Sequence, residues 1–118
     1  MNTAKNTPAN PLLERVSFSS DTFTVHLSNG LALIVPYWWY PRLHDATSRE
    51  RENYALIGNG IGATWEDIDE DIHVSGLLQQ KPDLSHQAAK WRAEHDFPDL
   101  NAIFPRNESH TKTAVEIL

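Results

Sequence analysis

The sequence predicts an α+β domain. An antiparallel sheet, made of an N-terminal meander plus later strands, is backed by short helices and followed by a C-terminal helix and polar tail. Three observations carry this reading. Phe23, Val25 and Leu27 alternate with Thr24 and His26 just ahead of Ser28-Asn29-Gly30, the pattern of a half-buried strand entering a tight turn. Thr47-Ser48-Arg49-Glu50 has the form of a helix capping box. The chain has 118 residues and no cysteine, a length that folds as one domain around its own core without disulfides.

Taken in order, residues 1–11 carry Pro8 and Pro11 among Asn and Thr and read as a flexible arm. The compact domain spans residues 12–80, and residues 81–118 form the C-terminal helix and tail. VSF, before Ser19-Ser20-Asp21, is the first strand, and the segment through Leu27 is the second. LALIV is the third, with Leu31, Leu33 and Val35 on one face. Pro36 ends that strand, and Pro41 suits the first position of a short helix. A second helical turn follows the Thr47 cap, so that Leu43, Ala46 and Tyr54 face the sheet. ALIG is a short strand, GNGIG a glycine loop, WEDID a tight turn and DIHVSGLL the last strand. Beyond Pro82, DLSHQAAKWRAEH reads as an amphipathic helix, and the chain from Asn107 onward as a polar, frayed end.

Sixteen acidic and ten basic residues give a net charge of −6. Ten acids against four arginines lie in residues 12–80, so the acidity belongs to the compact part. Binding to duplex DNA rewards clustered Lys and Arg, and this balance disfavours it. A protein partner with a basic patch fits better, as does neutralisation within a homodimer. No apolar run approaches the roughly 18 residues of a membrane span. The N-terminus lacks the apolar stretch of a signal peptide, which points to the cytoplasm.

An ordered set of residues runs through the middle of the chain: Pro36, Tyr40-Pro41-Arg42-Leu43, Ala46 and Arg51, then the glycines from Gly58 to Gly62 and Trp65. It closes with Ile68-Asp69-Glu70-Asp71-Ile72 and Gly76-Leu77-Leu78. Over residues 14–80 this resembles the small, mainly bacterial domain-of-unknown-function family numbered 2442. The resemblance implies a small α+β fold and no established activity. Some members of that family are similar to components of two-gene modules of toxin–antitoxin type, and others are fused to DNA-binding helices, which is association rather than mechanism. Two positions depart from the pattern: Thr64 stands where many members carry His, and Tyr54 where many carry a second Trp. A role built on that histidine does not transfer.

The chemistry concentrates in WEDIDEDI, residues 65–72. Counted from Asp67, a calcium loop of EF-hand type would need Gly at Ile72 and Glu at Leu78, so that reading fails. A catalytic carboxylate pair needs separated environments and a pocket, which adjacency alone does not supply. The structural reading is stronger. Trp65 and Ile68 point inward, Asp67 and Asp69 cap the turn, and Arg42 or Arg51 forms a fork with one of the carboxylates, Glu70 and Asp71 included. Among the histidines, His26 and His73 sit on polar strand faces, and His86 and His95 are nine apart, not at a helical metal spacing. GNGIG lacks the Lys-Ser/Thr of a phosphate loop. No cofactor, metal or catalytic residue is assigned.

The run Tyr37-Trp38-Trp39-Tyr40 cannot turn all four rings to one core from an extended segment, so two are expected outside. Exposed Trp and Tyr are common binding anchors, and Trp91 in the terminal helix could dock on them within the chain or across a dimer. The leading expectation is a non-catalytic interaction or regulatory protein, resembling an antitoxin-like member of the family. Its binding surface would combine Tyr37 to Tyr40 and Trp91 with Glu66 and Asp67 of the acidic turn. Two alternatives stand beside it: an acidic inhibitor filling the nucleic-acid groove of a bacterial defence enzyme, and a small metal-dependent enzyme using carboxylates of residues 66–71.

Overall fold

The computed structural model of the chain describes residues 10–104. Most of the N-terminal arm and the tail from residue 105 lie outside them. The described residues form an α+β fold of two three-stranded antiparallel sheets and several short helices. The first sheet is the expected meander, β1 (Leu13–Phe18), β2 (Thr22–Leu27) and β3 (Ala32–Pro36), in that order. Phe23 stands opposite Phe18 on one side and Val35 on the other. The β2–β3 turn works as its residues dictate. Gly30 takes φ of 92°, which costs glycine little, and Asn29 Oδ1 accepts from the Leu31 amide at 3.1 Å. Leu31 departs from expectation: Leu33 and Val35 pack on or in the core, but Leu31 lies beyond the strand in the turn and is 57% exposed.

Pro41 opens α1 (Pro41–His44). The capping box forms as read: Thr47 Oγ1 accepts from the Glu50 amide at 3.1 Å, and Glu50 Oε1 from the Thr47 amide at 2.9 Å, starting α2 (Ser48–Glu52). Leu43 is fully buried, Tyr54 packs against the core and Ala46 is half-buried.

The second sheet is β4 (Ala55–Ile57), β5 (Gly62–Trp65) and β6 (Glu70–His73), again antiparallel and in order. GNGIG is the β4–β5 hairpin loop, and it is also where the two sheets meet. The Leu13 amide of β1 donates to the Gly60 carbonyl at 2.7 Å, which joins the sheets, and the Val74 amide just after β6 donates to the Ile61 carbonyl at 2.9 Å. A side chain on Gly60 would strike the Leu13 carbonyl, and one on Gly62 the Ile72 carbonyl. Gly62→Ala is therefore expected to lower stability by about 2–3 kcal/mol, the cost of forced overpacking. A urea midpoint unchanged from wild type would contradict this.

DIHVSGLL is not one strand. After His73 the chain turns into α3 (Val74–Leu78), because Val74 and Leu77, three apart, both bury, a spacing a helix satisfies and a strand does not. Helix α4 (His86–Glu94) follows, with α5 (Leu100–Ile103) after it. The buried residues of α4 are Ala88 and Arg92, so its inward stripe is not apolar as expected. The core gathers round Phe23, with Tyr37, Tyr40 and Trp65 at ring-centroid distances of 5.8, 6.2 and 6.4 Å. No helix among the described residues is long and apolar enough to cross a membrane.

Candidate functional site

The aromatic run and the acidic turn meet at α1. Tyr37 to Trp39 form a single 3-10 turn after Pro36 rather than an extended segment. Tyr37 and Tyr40, three apart, therefore both turn inward, and Trp38 and Trp39 stand half-buried outside. Two rings of the four are outside, as expected, but by helical rather than strand geometry. The Tyr37 hydroxyl donates to the Ser19 carbonyl at 2.8 Å, and the Tyr40 hydroxyl to the Lys81 carbonyl at 3.3 Å.

The outer rings do not stand free. Phe97 stacks on Trp38 at 5.4 Å and on Trp91 at 5.6 Å, almost parallel to both, and meets His44 edge-on at 5.6 Å. His95 stacks in turn on Trp91 at 4.1 Å, and Phe104 meets Trp39 edge-on at 5.7 Å. Trp91 thus docks on the aromatic run within the chain, through Phe97, and its Nε1 donates to Asp45 Oδ2 at 2.9 Å. The fastening beneath is Arg92, 1% exposed. It donates to the carbonyls of Trp38 and Trp39 at 3.3 and 3.4 Å, and to that of Asp83 at 2.7 Å. Neither Phe97 nor Arg92 was singled out from the sequence. The usable signal was the four-residue spacing of Ala88 and Arg92, which puts them on one helix face. Beside the stack lies an open groove of about 550 Å³, lined in part by Asp21, Tyr37, Trp38, His44 and Arg51.

The arginines overturn the expected fork. Arg51 Nε and Nη2 donate to the carbonyls of Leu43 and His44, at 2.9 and 2.8 Å, satisfying the open end of α1. Its guanidinium also lies 3.8 Å from the centre of the Tyr37 ring. Arg42 Nη1 donates to the backbone carbonyl of Asp69 at 2.6 Å. Neither arginine forms an ion pair with a carboxylate among the described residues. The Lys or Arg ion pair there is Lys90–Glu94, and His44 Nδ1 lies 3.1 Å from Asp45 Oδ1.

The acidic turn consequently has no arginine counter-ion in contact with it among the described residues. Trp65 is buried as expected, its Nε1 donating to the Arg51 carbonyl at 2.8 Å, and Ile68 packs on the core. Glu66 is exposed. Asp67 Oδ2 accepts from Asn53 Nδ2 at 2.8 Å rather than capping the turn. Asp69 ends the turn in the left-handed region, φ 56°, and contributes its carbonyl rather than its side chain. Asp71 accepts from the Thr64 hydroxyl, which gives Thr64 a local structural task. Glu70 differs from the rest. It is 7% exposed, and its Oε1 is sealed from solvent without a hydrogen-bond partner. Burial first, and then the nearby Asp83, push its carboxyl up to about 7, against the opposing pull of Arg42.

A metal-dependent reading of these carboxylates requires ligands that converge. Among the described residues no three His, Asp or Glu side chains do so.

The comparisons with known proteins follow the same bounds. A family model described as a protein of unknown function, DUF2442, matches residues 13–83. No curated protein matches the chain. Two solved structures are similar. A protein of unknown function from Rhodospirillum rubrum is 25% identical, with a TM-score of 0.53 over 60% of this chain and 88% of that one. An uncharacterised protein from Chromobacterium violaceum is 27% identical, with a TM-score of 0.56 over 71% of this chain and 75% of that one.

Proposed function

Since the chain belongs to the DUF2442 family, whose function is unknown, its role has to be read from its own surface, and we propose a small non-catalytic interaction module. Its partner is a cytoplasmic protein carrying a basic patch, the relationship an antitoxin-like protein has to its target. One observation carries this reading. Among the described residues the acidic turn from Glu66 to Asp71 holds no ion pair, and Arg42 and Arg51 beside it are committed to backbone carbonyls. Uncompensated charge of one sign speeds encounter with the opposite sign and selects among partners, more than it adds raw affinity. Trp38 and Trp39 keep half-buried edges that could supply apolar contact to the same partner.

The test is affinity capture from the native host with the tagged full chain beside a Glu66→Lys/Asp67→Lys variant whose fold is confirmed by circular dichroism. The expected result is a basic protein recovered by the wild type and lost by the variant. With both proteins purified, affinity should fall roughly tenfold or more on charge reversal and weaken steeply with salt. Equal binding by the folded variant would overturn the reading.

A further inference from the structure

Between β6 and the turn that leaves α3 lies a second groove, of about 350 Å³, which Glu70 lines together with Tyr40, Asp71, Gly76, Lys81 and Asp83. Two features of it have no structural explanation. The first is Glu70 itself, a carboxyl nine-tenths buried with one oxygen lacking any partner. Buried acids are ordinarily paired, because leaving one alone is costly. The second is Gly76. It sits inside α3, where glycine weakens a helix relative to alanine. Its φ is not in the left-handed region, and a Cβ there would meet nothing within 4 Å. Neither backbone geometry nor packing demands a glycine; what it leaves is room in the groove.

We propose that this groove receives a single organic cation, the ammonium or guanidinium of a lysine or arginine side chain from the basic partner, with Glu70 as its counter-ion. This deepens the interaction reading and rests on it. Every group facing Glu70 bears on the outcome. Asp83 across the groove, Asp71 on its own strand and Asp69 in the turn before it all disfavour its charge, and Arg42 from α1 favours it without reaching it. Lys81 and His73 also line the groove. With the groove empty, the Glu70 carboxyl stays partly protonated at neutral pH. An entering cation supplies the missing opposite charge, the carboxyl ionises, and its proton leaves to solvent. Binding is therefore coupled to proton release.

Calorimetric titration of the full chain with an octalysine peptide at pH 7, in two buffers of different ionisation enthalpy, counts that proton. We expect release of about half a proton per peptide bound, as for a group titrating near that pH. Glu70→Gln should abolish the release and weaken binding at least fivefold. Gly76→Lys, which supplies an ammonium from α3 itself, should block the peptide while the chain remains folded, and gives a second variant should Glu70→Gln disturb folding. Binding that is lost in Glu66→Lys/Asp67→Lys but indifferent to Glu70→Gln and Gly76→Lys would overturn the groove and leave the acidic-surface reading standing. A wild-type chain that does not bind the peptide would overturn both.

Discussion

Arg92→Ala is expected to cost about 3 kcal/mol and to release α4 from the rest of the molecule. The side chain is sealed in, and its guanidinium is the shared partner of the Trp38, Trp39 and Asp83 carbonyls. A hydrogen bond from a charged donor contributes about 1.5–3 kcal/mol, and the two longer bonds here count for less than the short one. Truncation also strands the Trp38 and Asp83 carbonyls, whereas the Trp39 carbonyl keeps the Asp83 amide at 3.1 Å, and those stranded acceptors are the larger part of the loss. Burial lowers the guanidinium from its usual value, with Asp83 and Asp99 opposing, and leaves it cationic at any working pH. The check is amide hydrogen exchange. Protection should fall in α4 and α5, while the two sheets, whose core does not include Arg92, keep theirs. Arg92→Lys should rescue little, since a point charge cannot span three carbonyls that a planar fork reaches. Unchanged protection in α4 in the alanine variant would refute the role given to Arg92.

Glu70 sets the second large effect, and it is one of pH. Its carboxyl rises from 4.5 to about 7 on folding. Between those values the native chain holds a proton that the unfolded chain has lost, so stability falls as pH climbs through that window. Below pH 4.5 the penalty is absent; well above pH 7 it is complete, about 3 kcal/mol by linkage. Glu70→Gln should therefore match the wild type near pH 4 and exceed it by about 3 kcal/mol at pH 8. Urea unfolding at pH 4, 6 and 8 reads the difference. A gap between the two proteins that does not widen with pH would show that Glu70 ionises freely in the folded state.

What could be read from the sequence divides along physical lines. The β1–β3 meander and the Thr47 capping box depend on neighbours within a few residues, and both formed as their residues indicated. So did the burial of Trp65 and the first position of Pro41. The VSGLL segment was misread because five residues are too few for period two and period three to be told apart by hydrophobicity. The arginine partners were misread for a different reason. WEDIDEDI offers abundant carboxylates, but the folded chain puts the guanidinium groups within 2.6–2.9 Å of carbonyls at the open end of α1 and at Asp69. Only the tertiary fold decides between them. Arg92 was invisible because a cation in a polar helix ordinarily marks the solvent face. The rings around it are spread over residues 38 to 97, and no local pattern gathers them.

The stack of Phe97 on Trp38 has one more consequence. Phe97, Phe104 and Arg92 come from beyond residue 83, where the match to the family model ends. A ligand seeking the faces of Trp38 and Trp39 therefore meets a rival tethered in the same chain, at an effective concentration of millimolar order for a short connection. Its apparent affinity is its intrinsic affinity reduced by the fraction of molecules in which that segment has lifted. Shortening the chain at this point, or loosening Arg92, would sharpen such binding without adding a single new contact.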